Sequence, residues 1–478
     1  MTVRKLFADT TPLRHDDFRR LWTANIVTVI GAQLNILAVP AQIYMLTGSS
    51  SYVGLSGLFG LIPLIVFGLY GGSLADAMNR RTLLHITTTG MIITAAGFWL
   101  QAAIGINNVW LILSLFALQQ ALFAVNQPTR TAIIPKLVGK QNIAAATSLN
   151  MTVMQTGAIV GPLVGGALIP LLGFSWLYFL DFLALFATLW AVHRLPSLPP
   201  EPASSTDATA PSKPGFRSVL EGFAFLMSQP IILMSFLVDL IAMTFGSPRA
   251  LIPQISHVDF GEPAEGGMMY ALLFAALPVG AVLGGVFSGM VTAIVRRGLG
   301  VTISVVVWGG SIVLMGLAIM LADGRVNAWA WIALGAFAIG GAADMFSAVL
   351  RSTMLQEAAD DNLRGRLQGV FIVVVVGGPR LADIIHGWGG AHYGAGPTTA
   401  VGGALVIICT LIAVALVPRF LTWTPHDKVN GGAEMASPRR EQHAPAQPEC
   451  NAPERHTPRP EHCTSEPEHN TATSEGSS

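Results

Sequence analysis

The chain has 478 residues, of which 52% are hydrophobic and only 11% charged, with a formal net charge of zero. An ordinary soluble domain carries about 25% charged residues, so a water-facing surface cannot be built from this composition. The neutral balance provides no overall field for nucleic acid or for cationic partners.

Residues 1–17 are expected to form a short cytoplasmic N-terminal segment, with Arg4, Lys5 and Arg14. They lack the charged, apolar and small-residue pattern of a cleaved signal peptide. Apolar runs then recur at the length needed to cross about 30 Å of hydrocarbon as a helix. They fall at 18–46, 52–76, 83–105, 109–129, 143–169 and 174–193, a first half of six helices over 18–194. Residues 195–230 are rich in Pro, Ser and Ala, the composition of a flexible cytoplasmic linker. Within them, 216–229 has the pattern of an amphipathic entry helix. Six further runs follow at 231–255, 266–292, 299–322, 328–350, 366–390 and 398–418, a second half over 231–420. Residues 421–478 are polar and Pro-rich, the composition of a disordered tail.

Lys and Arg mark alternate connections, as expected when they are retained on one side of a membrane. With both termini inside, Arg19, Arg20, Arg80, Arg81, Arg130, Lys136, Lys140, Arg194, Lys213, Arg217, Arg296, Arg297, Arg351, Arg364 and Arg366 all fall inside. Only Arg249 and Arg325 fall outside. An erroneous helix count would shift this register, so the pattern supports an even count of twelve.

The halves also echo each other. Pro40 and Pro253, each followed closely by Gln and Ile, are as far apart in sequence as Gly72 and Gly285. Gly157 with Gly378, Gly166 with Gly387, and Arg130 with Arg351 share a second offset. Paired six-helix repeats produce such echoes.

After the second run stands Gly72-Ser-Leu-Ala-Asp76-Ala-Met-Asn-Arg80-Arg81, and the fifth contains Gly157-Ala-Ile-Val-Gly161-Pro162-Leu-Val-Gly165-Gly166. The first resembles the inner-loop signature of the major facilitator superfamily, with Ala77 and Asn79 in place of the usual Arg and Gly. The second resembles the antiporter signature of that superfamily. Further stretches, Ala38-Val-Pro40, Val53-Gly-Leu-Ser56, Arg249 with Pro253, Thr353-Met-Leu-Gln356 and Gly365-Arg366 with Gly369, resemble the branch of bacterial enterobactin exporters.

The resemblance implies an all-α integral membrane fold of twelve helices in two six-helix pseudo-repeats, lodged in a bacterial plasma membrane. It also implies a conformational gate of Gly72, Asp76, Arg80, Arg81, Arg130, Gly157, Gly161, Pro162, Gly165 and Gly166, in which Arg130 meets Asp76. The implied activity is export of a siderophore in exchange for protons. Multidrug efflux is the alternative within transport, and a non-transporting membrane sensor on the same fold is the alternative outside it.

Ionisable groups inside a membrane are costly and mark pathways or partners. Asp239 and Asp344 have no basic residue within one turn of their own helices, so each is a candidate to carry a proton, as is Asp383. Arg380, Asp383 and His386 are spaced to form one stripe, and Gly377-Gly378-Pro379 before them predicts a broken or kinked helix. Arg249 sits at a Gly246-Ser-Pro248 break, where it could attract an anion or snorkel to head groups. Asn25, Gln33, Gln42 and Gln119, with Asn35, Gln120, Asn126 and Gln127, offer neutral hydrogen-bonding groups that either join helices or line a pathway. Asp181 is expected near the outer interface, solvated.

No nucleophile, base and orienting group share a helix face, so no enzyme is expected and no catalytic residue is assigned. No phosphate-cradling loop ending in Gly-Lys-Ser or Gly-Lys-Thr suggests ATP. The tail's His426, His443, His456, His462 and His469 with Cys450 and Cys463 match no zinc spacing, so neither metal nor cofactor is expected. The expected partners are a small-molecule substrate, protons and the lipid bilayer, with the protein acting as a monomer.

Overall fold

Capping chemistry sets where the helices of the computed structural model begin and end. Ser49, Asn79 and Asn108 each accept a backbone N–H from the first turn of the helix they precede, and Gly48 and Gly105 close two helices in the left-handed conformation. The structure describes residues 9–198, 226–227, 229–287, 289, 294–358 and 361–424, without the side chains at 69–73, 75–77, 140, 356–358 and 361–376. The linker's expected amphipathic helix falls almost wholly outside these residues, and the tail beyond residue 424 entirely so.

The long helices are α1 (Asp16–Thr47), α2 (Ser50–Ala77), α3 (Arg80–Ile104), α4 (Val109–Val138) and α5 (Ile143–His193), followed by α6 (Pro230–Phe245) and α7 (Met268–Val286). Then come α8 (Arg297–Leu321), α9 (Ala328–Ala358), α10 (Asp361–Tyr393) and α11 (Ala395–Leu416). Ten are long and apolar enough to span a membrane. Gly173, at φ 72°, divides the 51-residue α5 into two segments, and α10 adds one more. The described residues thus contain twelve long helical segments in the expected order.

Two boundaries differ informatively from expectation. The fourth helix continues past 129 to Val138, with Pro128 and Pro135 inside it. The tenth segment was expected to stop at 350, but α9 continues to Ala358 because no Gly or Pro interrupts 351–358. Arg351 therefore lies on a spanning helix and not in a connection. Likewise α10 runs unbroken through Gly377-Gly378-Pro379, where a broken helix was one expectation.

Within the first half, α1 packs along α5, α2 along α4, and α3 along both α4 and α5. Val29, Gln33 and Leu37 of α1 recur every four residues and lie against Gly157, Gly161 and Gly165 of α5 at the same interval. The absent side chains let the two helices approach closely. In the second half, α8 packs on α9 and α11, α7 on α9, and α6 on α10 and α11.

The halves meet through α2 with α10 and α5 with α7. At Gly387 of α10, a Cβ would sit 2.7 Å from Cα of Gly54. At Gly166 of α5, one would sit 3.2 Å from the carbonyl of Gly267. Gly54 and Gly267 are as far apart in sequence as Pro40 and Pro253, so the two crossings are repeat-related. The sequence echo therefore corresponds to equivalent contacts.

These contacts gather at the end of the molecule where α1 passes to α2. There the Ser50 hydroxyl bonds Gln254, the Tyr270 hydroxyl donates to the Leu37 carbonyl at 2.7 Å, and Ser51 lies 3.5 Å from the Gly387 carbonyl. Toward the opposite end the same helices are exposed. Gly68 of α2 has open space beside it, and α5 presents Thr147, Ser148, Thr152, Gln155 and Thr156. Hydroxyl and amide groups on a spanning helix suit a water-filled cleft better than lipid.

Candidate transport site

Arg380 and Asp383 lie one turn apart on α10, beside the inter-half crossing. Small residues of α2 make room for them: a Cβ on Gly57 would meet Cβ of Asp383 at 2.8 Å, and one on Gly60 would meet the Arg380 guanidinium carbon at 3.2 Å. The guanidinium lies 3.7 Å from the Asp383 carboxylate, donates to Gln120 Oε1 of α4 at 3.4 Å, and sits 5.4 Å over the Phe116 ring. These are long contacts for a group with five N–H donors. Arg249, exposed at the break after α6, also interacts electrostatically with Asp383 and Arg380. Two guanidinium groups thus face one carboxylate where the halves join.

His386 does not extend this stripe. It is buried, its Nδ1 lies 3.1 Å from the Ala382 carbonyl of its own helix, and its Nε2 faces Gly402 of α11. The expected three-residue stripe is therefore a two-residue pair, because the next step along α10 turns into the α11 packing.

The largest correction concerns Asp239. It pairs with Arg351, with 6% and 13% of their side chains exposed. A partner on another helix is invisible to a search along one helix. Asp344, two turns before Arg351 on α9, interacts with both Arg351 and Asp239. Arg351 is the partner that sequence reasoning left out of the candidate site; its echo of Arg130 was the available signal.

Several neutral candidates hold the first half together. Gln42 and Gln101 exchange hydrogen bonds at 3.0 and 3.2 Å, and the Tyr178 hydroxyl donates to Gln42 at 2.7 Å. Asn126 donates to Thr87 at 2.8 Å and Thr88 at 3.2 Å. Asn35 donates to Asp181 at 3.0 Å and to Gln119 at 3.3 Å. Gln42 is thus a packing residue and not a pathway one. Asp181 is only 1% exposed, contrary to the expected solvated position. Gln33 is half-buried under Gly161, and Asn25 is buried.

In the candidate gate, the Arg130 guanidinium donates to the Leu21 carbonyl at 3.3 Å, Arg80 to Ala132 at 3.1 Å and Arg81 to His193 at 2.6 Å. The side chain of Asp76 lies outside those described, and the expected contact of Arg130 with it does too. Asn79, which departs from the signature, caps α3 through Arg81 N at 3.0 Å and donates to Ser197 at 2.8 Å.

Residues 8–438 match the family of transmembrane secretion effectors. The chain belongs to this major facilitator family. Among similar proteins, the enterobactin exporter EntS of Shigella boydii serotype 18 is 29% identical over 405 residues, 84% of this chain and 92% of that one. The enterobactin exporter EntS of Escherichia coli O6:K15:H31 (strain 536 / UPEC) is 28% identical over 421 residues, 87% and 96% of the two chains. Solved structures share the fold at low identity. The nucleoside transporter NupG has a TM-score of 0.66 at 12% identity, covering 84% of this chain and 99% of its own. The D-xylose-proton symporter has a TM-score of 0.63 at 14% identity, covering 86% and 100%. The chain is therefore a multi-pass membrane transporter of a small molecule and not an enzyme.

Proposed function

We propose that this protein exports an anionic siderophore of the catecholate class across a bacterial cytoplasmic membrane in exchange for protons. The pair of guanidinium groups facing one carboxylate at the inter-half contact carries the reading. Arg380 has donors to spare and an aromatic ring beside it, and a catecholate supplies oxygen acceptors on a flat ring. The similarity to enterobactin exporters supports the same substrate class. On this reading both termini lie in the cytoplasm, which makes the state closed outward and open inward; the alternation of Lys and Arg along the chain supports that orientation. The protein works as a monomer, without ATP.

The test is uptake into everted membrane vesicles energised to an acid interior. Labelled enterobactin and a hydrophobic cationic dye are offered separately. Siderophore accumulation that a protonophore abolishes is the expected result. Dye accumulation alone would replace the reading with multidrug efflux, and accumulation of neither would overturn it.

A further inference from the structure

Where α3 begins and α5 ends, two imidazole rings stand side by side. Their centroids are 5.5 Å apart and their planes at 88°, with His85 half-buried and His193 exposed. Arg81, one turn before His85 on α3, donates to the His193 carbonyl at 2.6 Å and interacts electrostatically with His85. Arg194 follows His193, and its side chain is exposed. Among the described residues neither imidazole ring makes a hydrogen bond, so each has an N–H to offer a ligand.

The neighbours set the sign of that ligand. Two histidines alone would suit a metal ion, but Arg81 and Arg194 repel a cation and attract an anion. From residue 77 to residue 198 the sequence has one acidic residue, Asp181, which is buried and about 18 Å along α5 from His193. At the same end of the molecule, Asp16 and Asp17 of α1 pair with Arg19 and Arg20.

Depth in the membrane narrows the choice of anion. The 25 residues of α3 are about 37 Å long and overreach about 30 Å of hydrocarbon by most of a turn at each end. Arg81 therefore stands at headgroup level and His85 at the edge of the hydrocarbon. The surface beside them is apolar and open, since Ile86 and Trp190 are 55% and 52% exposed. Half-buried Leu189, Phe182 and Trp99 continue the seam between α3 and α5 into the hydrocarbon, with the Phe182 and Trp99 rings stacked at 5.8 Å.

We propose that Arg81, His85, His193 and Arg194 hold the headgroup phosphate of one anionic phospholipid, whose acyl chain lies along the α3–α5 seam. Guanidinium and imidazole N–H groups supply the donors that phosphate oxygens accept. Both helices belong to the first half, so rocking of one half against the other leaves the site intact. The second half provides an internal comparison. Arg296 and Arg297 stand at the start of α8 as Arg80 and Arg81 do at the start of α3, but neither α8 nor α11 contains a histidine.

The experiment is native mass spectrometry of the delipidated full-length protein titrated with phosphatidylglycerol. One molecule is expected to bind more tightly than those that follow. Arg194→Glu should weaken this first binding at least about tenfold, the contribution of a single charged hydrogen bond. Its side chain is exposed, so folding is not at stake. His85→Gln with His193→Gln should weaken it likewise. Arg296→Glu, which removes a basic residue at the same level of the second half, should leave it unchanged. Equal weakening by Arg296→Glu would reduce the site to general attraction between basic residues and an anionic membrane surface, and would overturn the proposal. Equal binding of zwitterionic phosphatidylethanolamine would also overturn it, as would full-strength first binding in Arg194→Glu. Displacement of the lipid by millimolar inorganic phosphate would make this a free-anion site and reject the lipid. No siderophore takes part, so the result is independent of the export reading.

Discussion

Adding one methyl group at Gly387 tests whether the α2–α10 crossing sets the conformational balance. In Gly387→Ala the new Cβ would sit 2.6 Å from the Ser50 carbonyl oxygen and 2.7 and 2.9 Å from Cα and N of Gly54. All three are backbone atoms, so no rotamer change relieves the overlap and the two helices must separate. Overpacking of this kind costs about 1–3 kcal/mol. The cost falls on the state in which the halves touch at the Ser50 end, and a rocking transporter lacks that contact in its other state. The equilibrium should move away from the closed end by roughly 5–150-fold. Spin labels at Tyr52 and Tyr393, in a background with Cys409, Cys450 and Cys463 replaced, would report the separation of that end by pulsed electron resonance. Gly335→Ala is the control, since nothing lies within 4 Å of a Cβ there. An unchanged distance distribution in Gly387→Ala would refute the claim that this crossing is state-specific.

Removing one member of the Asp239–Arg351 pair should lower thermal stability in detergent by about 3–5 kcal/mol. The double variant should recover most of the loss, which a fluorescence melting assay would read. Asn79→Ala removes a helix cap and the bond to Ser197, and should cost about 1 kcal/mol in the same assay. Arg380→Ala should reduce siderophore uptake in everted vesicles at least about tenfold, since a charged hydrogen bond is worth about 1.5–3 kcal/mol. Arg380→Lys should fall between, because it keeps the charge and loses the fork.

The spans and their order were legible because hydrocarbon thickness imposes one length on each, and the alternation of Lys and Arg fixes the register. The glycine pairs were legible as an echo, and the structure gives them a cause: Gly166 and Gly387 sit where the two halves cross. Partnership across helices was not legible. Asp239 read alone is an isolated carboxylate. Only the extension of α9 past residue 350 brings Arg351 onto a helix facing it. Polar residues posed the same difficulty, since Gln42 and Gln119 look alike in sequence. One is locked by Gln101 and Tyr178; the other reaches Asn35 near the centre.

Asp181 sets a sealed acid beside Asp344, a candidate to carry the exchanged proton. It has the features that single out Asp344: an aspartate on a spanning helix, with no basic side chain among the hydrogen bonds and ion pairs described for it. Two differences decide its role. At 1% exposure it is sealed between helices, with Gly31 of α1 packed against it, so a proton held there has no route to water. Its described partner is the neutral Asn35, which has no charge to hand over. Asp181→Asn retains an oxygen that accepts the Asn35 bond, and it should leave siderophore uptake and its dependence on external pH unchanged. Asp344→Asn should flatten that dependence. Vesicle uptake measured across a pH series would compare the two. A flattened profile in Asp181→Asn would mean that a sealed carboxylate takes part in proton exchange, and access to water would then fail as the criterion that selects Asp344.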